Sequence, residues 1–270
     1  MSSCAAGKAG CPQDLRIKER KQERMRYRNC IFDLYGTLVD IHTEEDTPRL
    51  WTAMAELYGE QGAVYRSDEL HGAYVQAVKN AEAGLASTAG DPHEAHPEIQ
   101  IELVFQQLFQ AKGVTVGREQ AIRTGQQFRR LSTEYIRLYD GAEALLKELR
   151  AHGYGVYLLS NAQSIFTTLE LEELGLKPLF DGIYLSSDYG VKKPDRRFFD
   201  LLLKEEDLNP RDSVMVGNDG TCDIQGGRAA GLSTLYIRSN LSPKEAIPRA
   251  DHVLDGMDLA RVKEILLGDT

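Results

Sequence analysis

The sequence has few of the features that mark disulfide-rich or membrane proteins. It contains only four cysteines among 270 residues, namely Cys4, Cys11, Cys30 and Cys222. They form no Cys-x-x-Cys pair and no regular spacing, which favours free thiols in a reducing compartment. No apolar run approaches the roughly 18 residues that a membrane helix needs, and the N-terminus lacks a signal-peptide core. We therefore expect a cytoplasmic protein with no membrane partner.

The chain also lacks the positive charge typical of nucleic-acid-binding proteins. Its formal net charge is -9 at pH 7, so we expect no nucleic-acid partner, although a local cationic pocket for a small anion stays compatible. One basic stretch lies between Asp14 and Arg28, but acidic residues interleave with the basic ones. We interpret residues 1–27 as a disordered or charged helical N-terminal extension.

Strand and helix patterns alternate in two separate parts of the chain, residues 28–41 and 140–270. Short apolar segments of the strand type occur at 30–32, 156–159, 182–185, 213–216, 233–237 and 252–254. Helical patterns separate these segments, and such alternation is typical of a parallel sheet with right-handed crossovers. We predict an α/β fold with a doubly wound, Rossmann-like core.

The residues between these parts, 42–139, show helical periodicity and no strand pattern. We predict an all-helical insert, in which the last helix runs from Glu119 to Arg137. Its larger aromatic residues either pack inside the insert or line its substrate face. They are Trp51, Tyr58, Tyr65 and Tyr74.

Polar side chains stand at the ends of the predicted strands. Asp33 and Ser160 follow two of them, and Lys193, Asn218, Asp219 and Asp223 lie in or beyond later loops. In a doubly wound sheet the carboxyl ends of the strands meet at one crevice. Covalent transfer through an aspartyl intermediate needs the groups found here, namely a carboxylate, a hydroxyl and an ammonium. The further carboxylates suit a hard divalent cation.

Four motifs, in this order, resemble those of the haloacid dehalogenase-like (HAD) hydrolases. They are FDLYGTL at 32–38, LLSN at 158–161, KKP at 192–194 and VGNDGTCDIQGGRAAG at 216–231. The resemblance covers the core from Ile31 to about Leu235, and the insert is similar to the family's helical cap. We expect a hydrolase, monomeric or homodimeric, whose substrate is a small anion such as a phosphate ester.

The resemblance implies a catalytic role for three side chains. Asp33 would be the nucleophile, and Lys193 would hold Asp33 and neutralise the charge of the substrate. Ser160, helped by Asn161, would hydrogen-bond the transferred group. Each residue is the one that stands at the matching motif position of this sequence.

The resemblance also implies a magnesium site. Asp219, Asp33 and the backbone carbonyl of Tyr35 would bind Mg²⁺, and Asp223 would support the ion as a ligand or through other groups. Phosphate esters repel a carboxylate nucleophile, so a cation and Lys193 would screen that repulsion. Asn218 stands where many phosphatases of the family have Asp, which leaves open whether Asn218 or Asp219 contacts the metal.

The loop after Asp33 holds the main departure from the family's phosphatases. Tyr35, Gly36 and Thr37 would surround the substrate, with Gly36 allowing a sharp turn and Thr37 offering its amide or hydroxyl. Tyr35 replaces a second Asp that serves those phosphatases as general acid, a contribution of about 10²–10⁴ in rate. Tyr at this place is similar to the haloacid dehalogenases, which displace halide from carbon without such an acid.

Two enzyme hypotheses follow, and the acidic residues decide between them. The dehalogenases use no metal and lack the acidic fourth motif, whereas Asp219 and Asp223 beside Asp33 require a cation to offset their repulsion. We therefore favour a Mg²⁺-dependent phosphatase over a metal-independent 2-haloacid dehalogenase. Arg49 and Arg66 are candidates for the arginine that a dehalogenase uses to hold its substrate carboxylate. A catalytically weak phosphate-binding or interaction protein is the third hypothesis.

Overall fold

The computed structural model describes residues 27–86 and 96–268, and a six-stranded parallel sheet lies at its centre. The strands in chain order are β1 (Asn29–Phe32), β2 (Val39–Thr43), β3 (Thr133–Leu138), β4 (Gly155–Ser160), β5 (Gly182–Leu185), β6 (Ser213–Gly217), β7 (Ser233–Ile237) and β8 (His252–Leu254). The sheet order is β5-β4-β1-β6-β7-β8, with every pair parallel. The predicted α/β fold class is confirmed. Of the predicted N-terminal extension, residues 1–26 lie outside the described residues.

β1 occupies the middle of the sheet because its sequence is apolar on both faces. Cys30 and Phe32 pack into the hydrophobic cluster on one side, and Ile31 packs into the cluster on the other. Phe32 pairs with Leu158 of β4 and with Val216 of β6. Strands of parallel sheets are typically covered on both faces, which explains the unbroken apolar run. This central place puts the residue that follows Phe32 in the cleft between two strand ends.

Ten α-helices accompany the strands in the described residues. They are α1 (Pro48–Glu60), α2 (Ser67–Ala86), α3 (Ile101–Gln110), α4 (Arg118–Ser132), α5 (Ala142–Ala151), α6 (Ser164–Glu173), α7 (Ser186–Tyr189), α8 (Arg196–Glu205), α9 (Gly226–Ala229) and α10 (Leu259–Leu267). Single 3₁₀ turns occur at Lys177–Leu179 and Pro210–Asp212, and a π-helical turn at Gly220–Gln225. No helix in this part of the chain is long and apolar enough to cross a bilayer.

Helices α1 to α4 form a unit of their own between β2 and β3. Their apolar faces enclose a separate hydrophobic cluster that includes Trp51, Tyr58, Phe105 and Phe128. Of the insert's large aromatic residues, Trp51, Tyr58 and Tyr65 are buried in this cluster, whereas Tyr74 is only partly buried against it. We call this unit the cap, and the sheet with its flanking helices the core.

The prediction of one helix from Glu119 to Arg137 is wrong at its C-terminal end. Helix α4 ends at Ser132, and the next residues form β3, which pairs antiparallel with β2. The pairing sets Ile136 opposite Ile41, so β-branched residues of distant segments meet across the ribbon. Strand propensity depends on such cross-strand neighbours. The insert is therefore not all-helical, because a β-ribbon joins the cap to the core.

Candidate active site

Asp33 lies directly after β1, at the carboxyl edge of the sheet. Its backbone N–H donates to the carbonyl of Val216 at 3.0 Å, so the β-type pairing with β6 continues to the site residue itself. A cavity of about 180 Å³ opens over this edge. Of the residues predicted for the site, it is lined by Asp33, Tyr35, Ser160, Asn161, Lys193, Asp219 and Asp223. The predicted convergence of strand ends is thus present.

Lys193 is the cationic centre of the cavity. Its Nζ donates to Oδ1 of Asp33, to Oδ1 of Asp223 and to the carbonyl of Leu159, each at 2.7 Å. The side chain is 1 % exposed, whereas that of Lys192 is 35 % exposed. Burial by itself lowers the pKa of Lys193, but the carboxylates of Asp223 and Asp33 raise it above its ordinary value. The ammonium therefore stays charged at neutral pH.

The amide of Asn161 fixes the backbone on which Lys193 stands. Its Nδ2 donates to the carbonyl of Lys193 at 2.9 Å, and its Oδ1 accepts from the N–H of Lys193 at 2.8 Å. Both polar atoms of the amide are therefore occupied in this arrangement. We infer that Asn161 acts chiefly by positioning Lys193, while the predicted contact with substrate stays a prediction.

The two oxygens of Asp33 have different surroundings. Oδ1 accepts from Lys193 and, at 3.4 Å, from the hydroxyl of Ser160. Oδ2 has a single longer contact, from Oγ1 of Thr37 at 3.3 Å. Oδ2 is consequently the less restrained of the two oxygens.

The turn that follows Asp33 depends on Gly36. This residue has φ of +84°, a conformation that L side chains rarely adopt. A Cβ at this position would lie 2.3 Å from Nδ2 of Asn218, so the side chain of Asn218 fills the space above the glycine. The sharp turn predicted at Gly36 is present, and it brings Asn218 against the loop that follows Asp33.

Asn218 is better placed for a role in the site than its sequence motif indicated. It lines the same cavity, and its Oδ1 accepts from Thr37 Oγ1 at 3.3 Å, the hydroxyl that also contacts Asp33. Asn218 is 5 % exposed. Its carbonyl oxygen is therefore a neutral acceptor close to Asp33, in addition to the acidic residues predicted from the sequence.

The side chains of Asp219 and Asp223 hold the loop after β6 in place through hydrogen bonds to its backbone. Oδ1 of Asp219 accepts from the N–H groups of Thr221 and Cys222, at 2.8 and 2.7 Å, and so caps the π-helical turn. Asp223 is 1 % exposed, contacts Lys193, and accepts from the N–H of Asp219 at 2.9 Å through Oδ2. Burial raises the pKa of Asp223, against the opposing effect of Lys193.

The donor set of the cavity fits a magnesium ion. Three carboxyl groups face one ammonium, and the further donors are amide and carbonyl oxygens. Within residues 27–86 and 96–268, no three His, Cys, Asp or Glu side chains are grouped to hold a metal by themselves. Mg²⁺ typically takes one or two protein carboxylates and completes its shell with substrate phosphate and water. Such a site needs no cluster of three carboxylates.

The side chain of Tyr35 contacts residues that the sequence did not indicate as part of the site. Its hydroxyl hydrogen-bonds Oγ1 of Thr167 at 2.9 Å and donates to the carboxylate of Glu170 on α6. Arg129 of the cap pairs with the same carboxylate through Nε at 2.7 Å. Burial and the Glu170 carboxylate raise the pKa of Tyr35. The phenol is therefore a poor acid, and its proton is directed to Glu170.

The thiol of Cys222 lines the cavity of Asp33 and is held in its protonated form. Burial and the carboxylates of Asp219 and Asp223 raise its pKa to about 12, so the thiolate is scarce at neutral pH. Cys30 is buried within β1, and both cysteines are free.

Two further concavities lie near the site. A cavity of about 380 Å³ between cap and core shares Tyr35 and Asn161 with the first cavity. A groove of about 430 Å³ lies between α4, β3 and α6, but it contains none of the predicted site residues. Neither Arg49 nor Arg66 lines any of these three spaces, and Arg66 is bound to Asp68 on the surface. We call the cavity of about 380 Å³ the inner cavity, because it lies between cap and core and adjoins the cavity of Asp33.

A cleft at the carboxyl ends of parallel strands, with a paired carboxylate and ammonium, is the site of an α/β enzyme. The family model of the haloacid dehalogenase-like hydrolases matches residues 27–231. The chain belongs to this family of hydrolases, as its four motifs predict.

Comparison with known proteins finds both phosphatases and dehalogenases. The HAD-hydrolase YfnB of Bacillus subtilis is 26% identical over 226 residues, which cover 83% of this chain and 90% of YfnB. The pyrimidine 5′-nucleotidase PynA of Streptococcus pneumoniae is 26% identical over 216 residues, which cover 78% of this chain and 84% of PynA. The match therefore extends over most of each relative.

Solved structures share the fold. A structure of YfnB bound to magnesium aligns with a TM-score of 0.51 and 21% identity, covering 89% of this chain and 99% of that one. The 2-haloacid dehalogenase of Pseudomonas syringae aligns with a TM-score of 0.60 and 18% identity, covering 90% and 100%. At such identities the likeness shows the fold alone, so the reaction must be argued from this chain's own residues.

Proposed function

We propose that the protein is a magnesium-dependent phosphatase that acts on a small phosphate monoester through Asp33. The observation that carries the proposal is the charge of the 180 Å³ cavity, in which Asp33, Asp219 and Asp223 face Lys193 alone. This excess of negative charge opposes binding of a phosphate dianion unless a cation is present. The proposed ligands are Asp33, the carbonyl of Tyr35, and Asp219 or Asn218, with Asp223 in support. When bound, Mg²⁺ supplies positive charge at the phosphate oxygens.

The proposed first step is attack of Oδ2 of Asp33 on phosphorus. The new bond joins this oxygen to phosphorus, the ester P–O bond breaks, and the leaving oxygen departs with the electron pair. Lys193 holds Oδ1 of Asp33 at 2.7 Å and keeps the carboxylate oriented. The hydroxyls of Ser160 and Thr37 lie within 3.4 Å of the two Asp33 oxygens and could donate to the phosphoryl group. Water then attacks phosphorus, the P–O bond to Asp33 breaks with its electron pair returning to the carboxylate, and the proton lost by the water passes to the departed alkoxide through solvent.

The leaving group receives little acid catalysis in this site. Tyr35 occupies the position of a general acid, but its proton is engaged with Glu170 and its pKa is raised. The rate should therefore depend strongly on the stability of the leaving anion. Phenyl phosphates with electron-withdrawing groups should be turned over faster than alkyl phosphates.

A 2-haloacid dehalogenase remains the second candidate because of Tyr35, which lines the cavity where a phosphatase of this family would have Asp. In that reaction Asp33 would displace halide from carbon, and the substrate carboxylate would need a cation. Arg129 is the cation of the inner cavity, and it is already paired with Glu170 at 2.7 Å. This pairing disfavours the dehalogenase.

The test is one assay with two substrates, each with and without EDTA. The phosphatase predicts hydrolysis of p-nitrophenyl phosphate that stops when Mg²⁺ is removed and returns when it is added. The dehalogenase predicts chloride release from 2-chloropropionate that EDTA does not affect. The substitution Asp33→Asn should abolish whichever activity is found. Metal-independent chloride release without phosphate release would overturn the proposal.

A further inference from the structure

The inner cavity between cap and core receives whatever part of the substrate extends beyond the phosphate. Its volume of about 380 Å³ lies within the usual range of ligand sites. It meets the cavity of Asp33 at Tyr35 and Asn161, which line both spaces. A phosphate held at Asp33 would therefore direct its ester group into this space.

Aromatic rings form much of the wall of the inner cavity. Tyr74 and Phe128 of the cap have ring centroids 5.1 Å apart, and Phe166 of the core also lines the space. Tyr35 contributes a fourth ring at the boundary with the catalytic cavity. Rings at such separations provide flat apolar surface and favour stacking with another ring.

The cationic group of the inner cavity is already neutralised. Arg129 is bound to Glu170 at 2.7 Å, with side chains only 18 % and 10 % exposed. Its guanidinium also lies 5.7 Å from the ring centre of Tyr35 and 5.5 Å from that of Phe166. Among the residues that line the cavity, Arg129 is the one cation and Glu45 adds a carboxylate. A second negative group on the substrate would therefore find no uncompensated positive charge.

The amides in the wall are engaged as well. Gln163 accepts from the N–H of Ile101 at 3.0 Å and donates to the carbonyl of Ile99 at 2.9 Å. Asn161 is held by the backbone of Lys193, and Thr167 by Tyr35. The cavity thus offers stacking surface, with few polar groups available to receive a charged substituent.

We infer that the ester group of the substrate is uncharged and flat, of the aromatic or nucleoside type, and that Glu170 sets this preference by neutralising Arg129. The inference rests on the proposed phosphatase function and names its substrate class. A phosphate ester with a carboxylate near the phosphate would be rejected, because the carboxylate would meet Glu45 and an Arg129 whose charge Glu170 already neutralises.

The test compares two primary alkyl phosphates, uridine 5′-monophosphate and 2-phosphoglycolate, with p-nitrophenyl phosphate as the reference. Since both are esters of primary alcohols, leaving-group strength does not dominate the comparison. We expect kcat/KM for the uridine ester to exceed that for phosphoglycolate by at least about tenfold. In Glu170→Gln, the charge of Arg129 is no longer neutralised. The ratio of kcat/KM for the uridine ester to kcat/KM for phosphoglycolate should therefore fall by about fivefold or more. Glu173→Gln, a change of an exposed residue on the same helix, should leave the ratio unaltered.

The outcomes separate this inference from the proposed function. Hydrolysis of p-nitrophenyl phosphate together with a preference for phosphoglycolate would overturn the inference and leave the phosphatase standing. Hydrolysis of none of the three esters would overturn the phosphatase, and the inference with it. An unchanged ratio in a folded Glu170→Gln variant would overturn the role of Glu170. The wild-type comparison decides the substrate class even if that variant fails to fold.

Discussion

At the scale of single residues, Lys193 is paired with two buried carboxylates. It compensates Asp33 and Asp223 at once, and all three side chains are nearly or fully buried. Removing one partner of a buried ionic group leaves uncompensated charge, which costs more than the pair itself contributes. We therefore expect both stability and the proposed catalysis to depend on the same ammonium.

The substitution Lys193→Met tests this dependence. We expect turnover to fall by about 10²–10³, since an electrostatic contact to the reacting groups is lost. The free energy of unfolding should fall by about 3–5 kcal/mol at neutral pH, as Asp33 and Asp223 are left unpaired. Lys192→Met removes a neighbouring, part-exposed lysine and serves as the control. Normal turnover by Lys193→Met would exclude the proposed role.

A second residue-scale question is whether Asn218 or Asp219 contacts the metal. Asn218→Asp would add a carboxylate beside Asp33 and should lower the Mg²⁺ concentration for half-maximal activity by about tenfold, if Asn218 is a ligand. Asp219→Asn removes a charge but keeps a good capping residue, so stability should change little. A raised Mg²⁺ requirement in Asp219→Asn would identify it as the ligand. Unchanged requirements in both variants would contradict a metal contact by this loop.

At the scale of elements, the ribbon of β2 and β3 is tied to the core by Asp40. Its Oδ2 accepts from Arg137 Nη2 at 2.7 Å and Nε at 3.0 Å, and Oδ1 accepts from Asn240 at 2.8 Å. Burial by itself raises the pKa of Asp40, but the bonds from Asn240 and Arg137 hold the pKa below its usual value. One carboxylate thus links both strands of the ribbon to the loop after β7.

The substitution Asp40→Asn tests this link through the pH dependence of the free energy of unfolding. A depressed pKa in the folded state contributes stability above the unfolded pKa, which is lost as pH falls through the folded value. We expect Asp40→Asn to lower the free energy of unfolding by about 1 kcal/mol at pH 7, a modest figure because Arg137 is 69 % exposed. The difference from wild type, measured by urea unfolding, should shrink below about pH 4.

The control for this measurement is Asp140→Asn, which changes an exposed residue near the end of β3. Its effect should be small at every pH, since surface substitutions of this kind have little influence on stability. A stability difference for Asp40→Asn that persists unchanged to about pH 2.5 would contradict the assigned hydrogen bonds, because this pH lies below the unfolded pKa of about 3.9, where the contribution of Asp40 has begun to be lost.

At the scale of the whole molecule, Gly125 lies where the cap and the core approach each other too closely to admit a side chain. A Cβ at this position of α4 would lie 2.7 Å from Cδ1 of Ile165 in the core and 2.8 Å from Phe105 in the cap. Helix α4 also carries Phe128 and Arg129 into the inner cavity. The distance between α4 and α6 therefore sets both the packing and the shape of the substrate space.

We expect Gly125→Val to force these helices apart. The free energy of unfolding should fall by about 1–3 kcal/mol, the usual cost of overpacking, and kcat/KM should fall as Arg129 moves away from Glu170. Gly72→Val makes the same change on α2, where a Cβ meets nothing within 4 Å. Thermal unfolding and the p-nitrophenyl phosphate assay would measure both effects. Equal behaviour of the two variants would show that the close approach at Gly125 has no consequence.

Much of the core and the family could be predicted from the sequence alone. The strands at 182–185, 233–237 and 252–254 lie where the apolar segments predict them, and the family follows from four local motifs. These features depend on residues that are near one another along the chain. For the same reason Asp33, Ser160, Lys193 and the acidic loop could be assigned to one cleft, since strand ends of a parallel sheet must meet.

The surroundings of Tyr35 were decided by tertiary structure. Arg129 and Glu170 are 41 residues apart, and Tyr35 and Glu170 are 135 apart, so no local pattern relates them. Their contact depends on how closely a cap helix packs against a core helix, which in turn depends on Gly125. The same holds for β3, which needed β2 as a partner to end a predicted helix at Ser132. Local sequence patterns predict the helices, the strands and the class of reaction. The distance between the packed helices α4 and α6 influences which substrate fits the site, and no local pattern contains that distance.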